Sequence, residues 1–227
     1  MHEANAIEHK TSAPASLEER LAEAARYALL RRLTPALRHH MVGALQPLGM
    51  LAAMLERRSQ AAAPDLTSIQ KKCNEMSQLA REATASCVGL IGWITPKAAD
   101  TVSIADGVKE CLSVLETDLA LRGFAAVNET GDASALVARG VMRSVYAAAL
   151  LAITDATPHA AEVVMQSELD GNVQVVSILL RPRDGEGMGI GGPDYRALEW
   201  VDVEALAKAH GVTLEHSEGR ASIRISA

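Results

Sequence analysis

The apolar residues Leu37, Met41, Ala44, Leu48, Leu51 and Leu55 recur at alternating steps of four and three, which predicts a helix that packs one seam against partner helices. A more regular series follows: Ile69, Cys73, Met76, Ala80, Ala83, Cys87 and Leu90 keep the same alternation without a break. Between them Ser59 to Pro64 predicts a short loop, and Asp65 can cap the second helix. Two such helices make an antiparallel hairpin, but a hairpin alone leaves much of each seam exposed. The pattern therefore predicts a four-helix bundle formed by a homodimer. Upstream, Ser16-Leu17-Glu18-Glu19 reads as a capping box that opens a helix with Leu17, Leu21, Ala24, Ala25, Ala28 and Leu29 on its apolar face. Thr34-Pro35 predicts a boundary between that helix and the next segment, and Pro47 predicts a kink.

After Thr95-Pro96-Lys97 the pattern changes to mixed helix and strand signals. Ser103 and Asp106 open a helix with Ile104, Val108, Cys111, Leu115 and Leu119 on one face, closed by Gly123. A short strand is predicted from Phe124 to Val127, then one long helix over 134–156 through Val137, Val141, Val145, Ala148 and Ala152. Glu162 to Leu169 and Val173 to Leu180 form a hairpin about Asp170-Gly171-Asn172. A glycine-rich loop over 183–194, a helix from Val203 to His210 and a hairpin about Ser217-Glu218-Gly219 complete the chain. The predicted fold class is α+β: a helical hairpin that forms a dimeric four-helix bundle, then a sandwich of a mixed or antiparallel sheet covered by helices on one face. The predicted division is a disordered tail over 1–15, a helical domain over 16–95 and a second domain over 96–227.

Composition narrows the function classes. Aromatic residues are 3% against 48% apolar overall, so the interior is built from Ala, Leu, Val, Ile and Met. A net charge of −6 offers no global attraction to nucleic acid or to an anionic membrane surface. Neither is expected as a partner. No apolar run reaches the ~18 residues of a membrane span, and no apolar signal segment is visible, so a cytoplasmic protein is expected. Cys73, Cys87 and Cys111 lack paired spacing and read as small core residues rather than metal ligands or disulfides.

The candidate chemistry lies beside the first seam. Two residues beyond Leu37 is a turn of about 200° on a helix, which aims His39 away from the seam and toward solvent. His40 stays near its edge. A neutral imidazole on a rigid exposed face can attack a phosphoryl group in line.

A hairpin with an outward histidine, followed by helix, strand, helix, hairpin, Gly-rich loop, helix and hairpin, resembles the transmitter core of the sensor histidine kinases. His39-His40-Met41-Val42-Gly43-Ala44-Leu45-Gln46-Pro47-Leu48 is similar to that family's phosphoacceptor box H-D-F-N-N-L-L-x-P-I. The resemblance implies that His39 is the phosphoacceptor, with His40 as an auxiliary group, and that the second domain has the fold of the kinase ATPase domain. Where the family has an acidic residue after the histidine, this chain has His40, and its Asn or Thr four residues on is Gly43. The family's nucleotide box lines up with 142–158, keeping Arg143, Val145, Leu150, Leu151, Asp155, Ala156 and Pro158 while both asparagines are replaced, by Ala148 and Ala152. The second asparagine is the magnesium ligand, and a methyl group cannot coordinate a hard cation. In the loop that matches D-x-G-x-G-M, Gly185, Gly187 and Met188 remain, with Gly189 just beyond as weak evidence for phosphate binding, but the adenine-binding Asp is Arg183, a donor only. Asp184 would need a one-residue shift, and the second glycine box is absent.

These departures imply no cofactor and no metal, and they disfavour an ATP-dependent autokinase. The function the resemblance implies is a two-component phosphorelay protein, a histidine phosphotransferase that exchanges a phosphoryl group between His39 and receiver-domain aspartates without hydrolysing ATP. Its implied partners are a second copy, response-regulator receiver domains and a sensor histidine kinase. The alternative is an inactive histidine pseudokinase acting as a dimeric regulatory module. An active sensor kinase ranks third.

Overall fold

The computed structural model describes residues 15–94, 99–183 and 196–226. Two long helices come first, α1 (Leu17–Ser59) and α2 (Leu66–Ile94). The predicted capping box is formed: Ser16 Oγ accepts from the Glu19 amide at 3.2 Å, and Glu19 Oε2 accepts from the Ser16 amide at 2.7 Å. Asp65 accepts from the Ser68 amide at 3.1 Å and caps α2. Then follow β1 (Thr101–Ser103), α3 (Ile104–Leu121), β2 (Phe124–Asn128) and β3 (Leu136–Ala138). A composite helix is next: α4 (Arg139–Val141), a π-helical turn (Met142–Tyr146) and α5 (Ala147–Asp155). The chain ends with β4 (Ala161–Asp170), β5 (Val173–Pro182), α6 (Trp200–Ala209), β6 (Thr213–Ser217) and β7 (Arg220–Ser226).

The main sheet has the order β2-β4-β5-β7-β6, with β2 parallel to β4 and every other pair antiparallel. The β4–β5 hairpin turns on Gly171, whose φ of +62° is a left-handed conformation that glycine adopts without a Cβ penalty. One face of the sheet carries Val163, Met165, Val176, Ile178, Ala221 and Ile223, which join α3, α5 and α6 in one core. The fold is thus the expected α+β arrangement of a helical hairpin and a mixed sheet covered by helices.

The core continues across into the hairpin. Ala25, Ala28, Leu29, Leu33 and Leu37 of α1, with Leu90 and Trp93 of α2, belong to the same cluster as the sheet and its helices. Farther along, Leu51, Leu55 and Ala83 are buried where α1 and α2 pack together.

Three expectations are corrected. Thr34-Pro35 does not end a helix, because α1 runs unbroken for 43 residues through both Pro35 and Pro47. A proline in a helix interior costs ~3 kcal/mol, while each buried Leu contributes ~1.5–3 kcal/mol, and Leu29, Leu33 and Leu37 are buried on both sides of Pro35. Packing wins. Thr34 Oγ1 turns back to donate to the Leu30 carbonyl at 2.8 Å instead of capping a new helix. Second, Leu136–Ala138 is a strand rather than the first turn of the 134–156 helix, because it pairs with β1 and sets Val137 opposite Val102. Third, of the cysteines expected in the core, Cys111 is buried, Cys87 is half-buried and Cys73 is exposed within the single chain.

Candidate functional site

Seven residues on a helix make about 700°, so Arg32 and His39 lie on nearly the same face of α1, two turns apart. Arg32 is 5% exposed and enters a charge cluster between α1, α3 and α5. It donates to Asp118 at 3.0 and 3.3 Å and to Asp155 at 3.4 Å. Arg122 closes the cluster, 2.7 Å from Asp155 and 3.4 Å from Asp118. Burial alone works against the Arg32 charge, but the Asp118 hydrogen bond and the charges of both carboxylates outweigh it and raise the pKa above its ordinary value. This cluster fixes where α1 stands relative to α3.

That placement gives His39 a neighbour. His39 is exposed and His40 half-buried, and both line the walls of two adjoining cavities between α1 and α3. The larger, of 430 Å³, is bounded by Pro35, Ala36 and Val42 on α1 and by Val114, Thr117 and Leu121 on α3. The smaller, of 330 Å³, is bounded by His39, His40 and Gly43, by Ser86 of α2, and by Ser113, Glu116 and Thr117 of α3. His39 therefore stands at the mouth of a cleft rather than on a bare helix face. A Cβ at Gly43 would meet nothing within 4 Å, so packing does not require glycine there.

The second clamp lies at the end of α2. Arg143 sits 5.5 Å from the centre of the Trp93 ring and donates to Glu110 at 2.9 and 3.1 Å. Arg139 is also paired with Glu110 and reaches Asp100 at 2.9 Å.

The positions that the resemblance aligns with a nucleotide box are occupied by packing. Ala148 and Ala152 are 0% and 1% exposed, inside the core. Leu198, also in that core, donates its amide to Asp155 at 3.3 Å. Arg183 is exposed. Asp184 and the glycines Gly185, Gly187 and Gly189 lie outside the described residues. Past the end of α5 a separate cavity of 570 Å³ is bounded by Pro158, Leu180, Trp200 and His216, with the Trp200 and His216 rings stacked at 4.2 Å. Cys111 donates to the Met142 carbonyl at 3.3 Å, and burial pushes its thiol pKa up. No group of three or more metal-ligating side chains occurs among the described residues. No helix among them is long and apolar enough to cross a membrane.

Sequence reasoning found the histidines but not the residues around them. Of Arg32, Asp118, Asp155 and Glu116, only Asp155 is singled out by the sequence, as a residue retained in the stretch 142–158. The signal that was available is helical spacing: Ser113, Glu116 and Thr117 fall at i, i+3 and i+4 and form one polar stripe on α3.

No protein-family model matches the chain. No curated protein matches it either. Among solved structures the chain is similar to the histidine kinase AdeS of Acinetobacter baumannii, with 18% identity over 79% of this chain and 96% of that one, at a TM-score of 0.45. It is similar to a bacterial phosphotransferase, with 12% identity over 94% of this chain and 99% of that one, at a TM-score of 0.38. A third is the histidine kinase ThkA in complex with the response regulator TrrA, with 15% identity over 95% and 68% of the two chains, at a TM-score of 0.41.

Proposed function

We propose that this chain is a histidine phosphotransferase of a two-component phosphorelay. His39 accepts a phosphoryl group from a receiver-domain aspartate and returns it to another, with no turnover of ATP. The observation that carries this reading is a contrast within one molecule. His39 is exposed at the mouth of a cleft open to a partner, while Ala148 and Ala152 present buried methyl groups where a nucleotide and its metal require oxygen or nitrogen.

The chemistry is a reversible displacement. A neutral ring nitrogen of His39 attacks the phosphorus in line, the nitrogen–phosphorus bond forms, and the bond from phosphorus to the aspartyl oxygen breaks, so that the receiver leaves as a carboxylate. Met41, Val42, Leu45, Met50 and Met54 remain exposed on α1, and a homodimer would cover the part of this apolar surface that faces a second hairpin.

A receiver domain charged with labelled phosphate should label the wild type and not His39→Gln. Wild type incubated with labelled ATP and magnesium should stay unlabelled; incorporation there would overturn the reading in favour of an autokinase. If no receiver of the host labels the wild type, the chain is a regulatory module and transfers nothing.

A further inference from the structure

We propose that the 430 Å³ cavity between α1 and α3 is a binding site for a small anionic amphiphile, a free molecule with an apolar body and one carboxylate, whose presence covers His39. The site itself stands on the walls of the cavity. Its consequence for phosphotransfer rests on the reading of His39 as the acceptor. The apolar part of the walls comes from both helices: α1 contributes Pro35, Ala36 and Val42, and α3 contributes Val114, Leu115 and Leu121. The volume lies within the ~300–1,000 Å³ of small-molecule pockets, which are mostly apolar with a few placed polar groups and favour the clefts between packed units.

Charge selects the head group. Asp118 is the one carboxylate among the described lining residues, and it is already engaged: Arg32 donates to it at 3.0 and 3.3 Å, and Arg122 lies 3.4 Å away. Arg38 also lines the cavity, is exposed, and has no hydrogen bond or ion pair among the described residues. Glu116 borders the smaller adjoining cavity and not this one. The walls therefore combine an apolar surface with one cation that lacks a counter-charge. A carboxylate meets arginine in a charge-assisted, often bidentate pair, and an apolar body gains by leaving water for the apolar walls. A cationic head would meet Arg38 with like charge, and a neutral one would forgo the pair. His39 and His40 line the same cavity. A molecule that fills it takes up space beside both imidazoles that an incoming phosphoryl donor needs, so occupancy would lower transfer at His39.

Octanoate, octanamide, octylammonium and acetate separate the two features, with binding to the full chain read by calorimetry. Octanoate should saturate one site per chain. Octanamide keeps the apolar body without the charge and should bind about tenfold more weakly or worse; octylammonium and acetate should show no saturable binding. Arg38→Ala should weaken octanoate by about tenfold or more, and Arg38→Lys should recover part of that loss. Thr117→Trp fills the cavity from an exposed position on α3 and should abolish binding. Diethyl pyrocarbonate, which modifies accessible imidazoles, locates the site: octanoate should slow modification of His39 and His40 several-fold, but not that of the exposed His159 in the same sample. A lack of saturable octanoate binding, equal affinity for octanamide, an Arg38→Ala or Thr117→Trp variant that binds like the wild type, or unchanged modification of His39 would each overturn the assignment. None of these readouts involves phosphoryl transfer, so the site can stand if His39 accepts no phosphoryl group, and fail while His39 does.

Discussion

The two halves of α1 are one helix with two kinds of surface. Before His39, Ala25, Leu29, Leu33 and Arg32 are buried against the chain's own α3, α5 and α6. After it, Met41, Val42, Leu45 and Met50 are between 42% and 67% exposed. The first half is packed against α3, α5 and α6, and the second packs on α2 through Leu51 and Leu55 while these four side chains stay exposed. His39 stands at the change from one to the other. The difference shows that an exposed residue can be held in place and stay accessible where its helix passes from a deeply packed stretch to a more open one.

The strongest way to break this contrast is to release the anchored half. Arg32→Met leaves Asp118 and Asp155 short of a partner, and Asp155→Ala removes the acceptor for Arg32, Arg122 and the Leu198 amide. Breaking one member of a buried ion pair costs about 3–5 kcal/mol. Urea denaturation should show a loss of that size for either variant, and a loss below about 1 kcal/mol would mean that apolar packing alone anchors the helix.

The open half should respond differently. Leu45→Glu puts a charge on its exposed apolar surface and should change chain stability by no more than about 0.5 kcal/mol. Light scattering should nevertheless fall from twice the 24.0 kDa of one chain to that single mass. A wild type already at 24.0 kDa across micromolar concentrations would remove the homodimer from the proposal.

A smaller effect comes from pH and is confined to the anchored half. His210 ends α6 and packs on Gly140, with its Nε2 3.5 Å from the Arg26 guanidinium of α1. Burial first, and then the Arg26 charge, hold its pKa below the ordinary value. The unfolded chain therefore binds this proton more readily. Stability from His210 is complete above the ordinary histidine pKa of ~6.5 and declines as the pH falls from there toward the lower folded value. Hydrogen exchange at mildly acid pH should quicken in 20–37 of α1 and in α6, but not in 45–55, and His210→Gln should remove the difference.

How far the sequence reveals this molecule depends on the range of the interactions. The hairpin about Gly171, the capping box at Ser16 and the regular series from Ile69 to Leu90 are local, and each was legible. The pairing of Val102 with Val137 joins strands whose partners are remote, and Val137 also fits the four-residue spacing to Val141 and Val145, so a helix was the natural expectation. The π-helical turn Met142–Tyr146 has no signal in an apolar run. At the candidate site the exposure of His39 was legible from its offset to the seam. Its surroundings were not, because a buried Arg32 reads in sequence as a surface arginine and only the tertiary fold brings Ser113, Glu116 and Thr117 of α3 to the cavity that His39 lines.

The unbroken course of α1 has a mechanical consequence. Its 43 residues form a rod of about 65 Å at 1.5 Å per residue, packed at one end against α3, α5 and α6 and at the other against α2. Pro35 and Pro47 each take one amide donor out of its hydrogen-bond ladder, four residues before and eight residues after His39. The ladder is weaker at both places than elsewhere along the helix. A load on both ends of the rod therefore bends or twists it most easily in the stretch that carries His39.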